Sequence, residues 1–219
     1  MHPEVLAACA RPMIGHRSAA GRALFDSLQP GLRALFGTGR PVYVAAGSAT
    51  AMMEAGLRAV PRGRVLALVN GAFSERYARI GEAIGHEVER LEVAWGLVHD
   101  AQVVADRVER GAYDAVTVCH SETSTGALQP LAEIARAVGD VPLLVDAVTS
   151  LGAMPVSFDA LGLAWCCAGS QKALALPPGL SFGVASGRLV ELARRSVDRG
   201  LYLDVLAFEE NTPPYTPAL

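Results

Sequence analysis

Short apolar runs alternate along this chain with stretches of helical period, and a turn of small or polar residues joins each run to the next helix. Pro41–Ala46, Arg64–Val69, Ala115–Cys119 and Val141–Val145 are long enough for strands and too short for helices. Met52, Met53, Leu57 and Val60 follow the first run at helical spacing, and Tyr77, Ile80 and Ile84 follow the second. Residues 100–110 and 129–138 continue the pattern, Glu87–Val93 alternates like a strand, and Ser181–Ser186 leads into a helix over Leu189–Val197. Runs this continuously apolar suit strands buried on both faces, and parallel strands need helical crossovers between them. The pattern therefore predicts an α/β fold: three layers, α/β/α, around a doubly wound, mainly parallel sheet.

A short helix is expected over Glu4–Ala10, within an N-terminal segment of residues 1–18. Ser18 can cap a second helix that runs through Leu24, Phe25 and Leu28 toward Phe36, with Pro30-Gly31 expected to kink or divide it. Residues 19–219 then form one large domain, and a chain of 219 residues can bury roughly 70% of its unfolded surface.

The net charge of −3 leaves no basic footprint for nucleic acid. No apolar run reaches the about 18 residues that a membrane span needs, and Met1-His2-Pro3-Glu4 does not open a signal peptide. Cys9, Cys119, Cys166 and Cys167 lack metal-type spacing and are expected as free buried thiols of a cytoplasmic protein. The five histidines are scattered, so no metal site is predicted.

Of the 19 Lys and Arg residues only Lys172 is a lysine. Arginine supplies charge but never deprotonates, whereas a desolvated lysine can attack a carbonyl, including the aldehyde of pyridoxal phosphate. Lys172 follows a small-residue turn between apolar runs, so it is a candidate Schiff-base lysine; a leftover surface lysine is the other reading. The Val141–Val145 run ends in Asp146, at the strand end where open α/β sheets bind ligands. A carboxylate there can keep a pyridine nitrogen protonated, and a loop or cap aspartate would look the same. Gly47-Ser48-Ala49-Thr50 joins a strand to a helix, as an anion site or an ordinary helix cap would.

Val145-Asp146-Ala147-Val148-Thr149-Ser150-Leu151-Gly152, then Gly169-Ser170-Gln171-Lys172-Ala173-Leu174, then Pro177-Pro178-Gly179 resembles the class V aminotransferases. Within them the chain is most similar to the alanine–glyoxylate and serine–pyruvate branch, and the likeness covers nearly its whole length. The resemblance implies the large domain of a fold-type I pyridoxal-phosphate enzyme, with Ser181–Ser186 as an antiparallel strand. It implies that Lys172 carries the cofactor and shuttles the substrate proton, and that Asp146 faces the pyridine nitrogen. Phe73 would stack on the ring, and Thr123, from His120-Ser121-Glu122-Thr123-Ser124-Thr125-Gly126, would lie near the phenolic oxygen. Ser48, Ala49, Thr50 and Gln171 would hold the phosphate, joined by Thr212 (or Thr216) from the neighbouring subunit of a homodimer. The substrates implied are a small amino acid, alanine or serine, and a 2-oxoacid, glyoxylate or pyruvate.

Family members continue into a smaller C-terminal domain bearing the arginine that grips the substrate carboxylate, and this sequence is expected to lack it. A second expectation is therefore a scaffold that binds cofactor or dimerises without turnover. Cysteine desulfurases share the fold but need a mobile-loop cysteine, and none of the four cysteines stands in an evident exposed loop near the site.

Overall fold

The computed structural model describes residues 1–211, which leaves Thr212 and Thr216 outside the described residues. A seven-stranded sheet comprises β1 (Tyr43–Ala46), β2 (Arg64–Val69), β3 (Glu87–Glu92), β4 (Ala115–Cys119), β7 (Leu143–Asp146), β8 (Trp165–Gly169) and β9 (Leu180–Ala185). Their order is β1-β9-β8-β7-β4-β2-β3. The neighbours from β8 to β3 are parallel, while β9 runs antiparallel to both β8 and β1. Hence β1 points the same way as β8, and β9 alone is reversed. A two-stranded ribbon, β5 (Ser121–Glu122) with β6 (Ala127–Leu128), projects from the end of β4.

The helices are α1 (Pro3–Cys9), α2 (Ala19–Phe36), α3 (Ala49–Ala59), α4 (Ala72–Ala83), α5 (Ala101–Arg110), α6 (Leu131–Val138), α7 (Gly187–Arg195) and α8 (Val205–Asn211). Strand alternation divides the core into two layers. Val44, Leu66, Leu68, Val116, Val145 and Cys166 face α2, α5 and α6 through Phe36, Val104, Leu131 and Ile134. Tyr43, Ala45, Leu144, Trp165 and Cys167 face α3, α4, α7 and α8 through Met52, Leu57, Tyr77, Leu189 and Phe208. This is the three-layer, mainly parallel sheet that the alternating pattern predicts. On the second face α3 comes very close to the sheet: a Cβ at Gly56 would lie 2.5 Å from the Trp165 ring, so only glycine admits this contact. The outer strand β3 packs Val88 and Leu91 against the core but is otherwise charged, with Glu89 paired to Arg64 and Arg107 and Arg90 paired to Glu82, which discourages pairing with a further strand.

Two local expectations are corrected. Pro30 neither divides nor ends α2, which is continuous from Ala19 to Phe36. Proline removes one backbone bond, to the carbonyl of Asp26, and both residues face solvent, so water can serve that carbonyl. Beside it, buried Gln29 donates to the Val42 carbonyl at 2.9 Å and accepts from the Val42 N–H at 3.0 Å, docking the helix on the chain entering β1. Cys9 is not buried but exposed, because none of residues 1–20 enters the core; Cys119, Cys166 and Cys167 are buried, and all four are free. No helix among the described residues is long and apolar enough to cross a membrane.

Candidate active site

With β1, β2, β4, β7 and β8 all pointing one way, the loops that follow them meet along one rim of the sheet. A cavity of about 130 Å³ lies there. All the sequence-predicted residues within the described range line it: Ser48, Ala49, Thr50, Phe73, Thr123, Asp146, Gln171 and Lys172.

Ser48 opens α3 as its N-cap, yet its side chain makes no cap hydrogen bond. Ser18, Asp100 and Ser186 do cap their helices through side-chain oxygens. The ordinary-cap reading of Ser48 is therefore not met, and its hydroxyl and the first turn of α3 border the cavity. Helix N-termini favour anions through their free N–H groups and dipole.

Lys172 stands in the loop between β8 and β9, which Ser170 clamps. The Ser170 N–H donates to the Leu180 carbonyl at 3.0 Å and its hydroxyl donates to the Pro177 carbonyl at 2.6 Å. The Ala175 N–H closes a turn onto the Lys172 carbonyl at 2.9 Å. Ala175 itself has φ +55°, the sole positive φ at a non-glycine among the described residues. That conformation costs about 1–2 kcal/mol for an L side chain, so the surrounding contacts impose this loop. The Lys172 amine lies 5.8 Å from the Phe73 ring centroid.

Phe73 is placed by a residue outside the predicted set. Glu122, fully buried, accepts from the N–H groups of Phe73 at 3.1 Å and Ser74 at 2.9 Å at the start of α4. It also accepts from the Ser124 N–H at 3.2 Å and the Ser124 hydroxyl at 2.7 Å. Burial opposes its ionisation, but the Ser124 hydroxyl and the Ser74, Ser124 and Phe73 N–H groups prevail and hold its carboxyl below the ordinary range. Gly71 makes room: a Cβ there would lie 2.4 Å from Glu122 Cγ.

Asp146 ends β7 at 3% exposure. Its Oδ1 accepts from the Val148 N–H at 2.8 Å, and its Oδ2 has, among the described residues, only the thiol of Cys119, at 3.6 Å. Among the described residues no arginine or lysine forms an ion pair with it. Burial therefore dominates and pushes its carboxyl up to about 6, with the Val148 N–H and the Cys119 thiol opposing. On the same rim, the Thr123 hydroxyl lies 2.6 Å from that of Thr149. Gln171 is exposed at the cavity edge, and its amide oxygen occupies the space beside Gly169, 2.8 Å from where a Cβ would be.

Arg76, Cys119 and Thr149 also line the cavity and, like Glu122, lie outside the predicted site set; each stands within or beside a predicted motif, so position after a strand is the available signal. The arrangement offers an anion-binding helix end, an aromatic wall, a buried acid short of donors and one primary amine.

Such a rim defines a small-ligand site of an α/β protein at the carboxyl ends of its strands. Residues 45–215 match the family model described as Aminotransferase class-V, and the chain belongs to that family. It is 40% identical to an uncharacterized aminotransferase of Methanocaldococcus jannaschii, over 99% of this chain and 59% of that protein. Among solved structures it is similar to a subgroup IV aspartate aminotransferase from Thermus thermophilus, with TM-score 0.88 and 38% identity, covering 100% of this chain and 64% of that one. An alanine–glyoxylate aminotransferase from Nostoc sp. gives TM-score 0.87 and 35% identity over 94% of this chain and 56% of that one. The chain thus spans about three-fifths of the length of these relatives.

Proposed function

We propose that the protein binds pyridoxal phosphate in this cavity and takes part in moving an amino group between a small amino acid and a 2-oxoacid such as glyoxylate or pyruvate. The observation that carries this reading is the pairing of Asp146 with Lys172 across one cavity. Asp146 is buried and short of donors, which suits a partner presenting a protonated ring nitrogen. Lys172 is the one amine able to condense with an aldehyde. The residues present fit the cofactor. Ser48, Ala49, Thr50 and Gln171 would hold its phosphate, Phe73 would bound its ring, Thr123 would orient its phenolic oxygen, and Asp146 would keep its nitrogen protonated.

When bound, the cofactor supplies an electron sink for the carbon that carries the migrating amino group. The chain's own work is to place that carbon and move its proton. Lys172 Nζ takes the proton from the substrate Cα and returns it, as a positioned acid–base group. Phe73 shields one side from water, and Glu122 keeps Phe73 in place through the start of α4.

The alanine–glyoxylate enzyme among the similar structures supports the choice of substrates, while the aspartate aminotransferase marks the first competing amino donor to assay. A homodimer with the site at its interface completes the proposal.

The test is the visible spectrum of the protein with added pyridoxal phosphate, before and after borohydride, followed by peptide mass mapping. A reducible band with the added mass on Lys172 is expected. Lys172→Ala should lose that attachment and lower alanine–glyoxylate transamination by about 10³-fold or more. Retained transamination in this variant would overturn the proposal.

A further inference from the structure

We propose that Arg76 is the cation that neutralises the phosphate of the bound cofactor, an inference that rests on the proposed function. Arg76 lies in the second turn of α4 and lines the same cavity as Thr50 and Lys172. Its Nη1 is 3.5 Å from the Thr50 hydroxyl, at the first turn of α3 where the anion would sit. Its guanidinium carbon stands 4.9 Å from the Phe73 ring centroid, so the ring that bounds the cavity also holds the charge in place.

Charge balance makes the case. A phosphate monoester carries between one and two negative charges near neutral pH. The helix end offers about half a charge, and Ser48, Thr50 and Gln171 offer hydrogen bonds only. The remaining cation of the cavity, Lys172, is committed to the aldehyde. Other arginines on this face are already paired: Arg90 with Glu75 and Glu82, and Arg58 with Glu54. Among the described residues Arg76 forms no ion pair with a carboxylate. Its planar fork of donors suits phosphate oxygens. Arg76 also borders the neighbouring cleft of about 420 Å³, whereas Arg79, one turn further along α4, borders that cleft alone and does not line the cavity.

The experiment compares two probes on the cofactor-free, full-length protein by equilibrium dialysis: pyridoxal phosphate, and pyridoxal, which keeps the ring and aldehyde without the phosphate. Arg76→Gln should weaken pyridoxal phosphate about ten- to a hundredfold, the scale of a lost charge-assisted hydrogen bond, and pyridoxal less than about twofold. Arg76→Lys should recover part of the loss, and Arg79→Gln should change neither affinity. Equal losses for both probes would mean that Arg76 acts through Phe73, and the inference falls. It falls equally if Arg76→Gln binds pyridoxal phosphate as the parent does, or if Arg79→Gln reproduces the effect as a general field. A parent protein that binds neither probe would sink the proposed function, and this inference with it, which is a result distinct from the other three.

Discussion

Two buried carboxylates stand on adjacent strand ends of one rim and meet opposite fates. Glu122, just beyond β4, receives three backbone N–H groups and the hydroxyls of Ser74 and Ser124, and is held ionised. Asp146, at the end of the neighbouring β7, receives one N–H and one thiol, and is pushed toward its neutral form. Both are closed off from water, 0% and 3% exposed, but Asp146 lies deeper in the protein, so burial weighs more on it while the larger set of donors prevails at Glu122. Glu122 is spent on structure, since its oxygens are saturated by the start of α4 and the turn after β5. Asp146 retains acceptor capacity in a place where, among the described residues, only the Val148 N–H and the Cys119 thiol reach it.

The sharpest way to break that contrast is to remove the saturated acid. Glu122→Ala leaves four donors without an acceptor, and the start of α4 without its anion. A buried donor left unpaired, here the Ser74 N–H, costs about 1–3 kcal/mol, and the part-buried donors of Phe73 and Ser124 add less because water reaches them, so a loss of about 2–4 kcal/mol is expected in urea unfolding. A loss under about 1 kcal/mol would show that the network is not what holds Phe73.

Asp146→Asn should act in the opposite direction. The folded carboxyl, at about 6, sits above the unfolded value of about 3.9, so the folded chain holds the proton more tightly. Stability then falls as pH rises from about 4 through about 6, and the full cost, about 2–3 kcal/mol, is present above about 7. The amide escapes this cost. Cofactor-free Asp146→Asn should match the parent near pH 4 and exceed it by about 2–3 kcal/mol at pH 8, while binding pyridoxal phosphate more weakly. Glu122 has the reverse sign: its folded carboxyl is lowered, so its stabilisation is complete above the unfolded value and is lost as pH falls through the folded one. Denaturation curves at pH 4, 6 and 8 separate the two, and a parent whose stability is flat between pH 4 and 7 would remove the distinction.

The sequence shows one of these acids and hides the other. Asp146 is legible because it closes an apolar run, so strand, strand end and exceptional residue coincide in one short stretch. Arg64–Val69 and Ala115–Cys119 are strands at the bounds that their apolar runs predict, for the same reason: strands buried on both faces declare their own ends. Glu122 looks like one more polar residue in a hydroxyl-rich turn. Its partners, Phe73 and Ser74, lie 49 and 48 positions away and meet it only when β2 and β4 pair. Arg76 was hidden likewise, because its neighbour Thr50 belongs to a different strand–helix unit. At Pro30-Gly31 local propensity forecasts a kinked or divided helix, and it cannot see Gln29 pinning an undivided α2 to Val42. Helix α8 was not anticipated at all. Its place comes from Phe208 stacking on Tyr43 at 5.6 Å and from Glu209 pairing with Arg40 and Tyr43, contacts with the far edge of the sheet.

Cys119 gives the finest adjustment of the contrast. It ends β4 directly opposite Asp146 in the register, and its thiol, also 3.6 Å from the Ser121 carbonyl, is the sole donor to Oδ2 among the described residues. A thiol is a weak donor, so it lowers the acid's proton affinity only slightly, where a second backbone N–H would have made Asp146 resemble Glu122. Cys119→Ala removes even that. The carboxyl should then hold its proton to higher pH, extending the falling limb of the stability profile upward and adding about 0.5 kcal/mol to the cost of ionisation at pH 8. The lost sulfur also costs roughly 1 kcal/mol of packing at every pH, so the diagnostic is the change in shape and not the offset. Carbon-detected NMR titration of the Asp146 carboxyl in the cofactor-free protein reads it directly. A midpoint that stays put or falls would show that the thiol contributes packing alone, and that the single Val148 N–H accounts for all the hydrogen bonding that Asp146 receives.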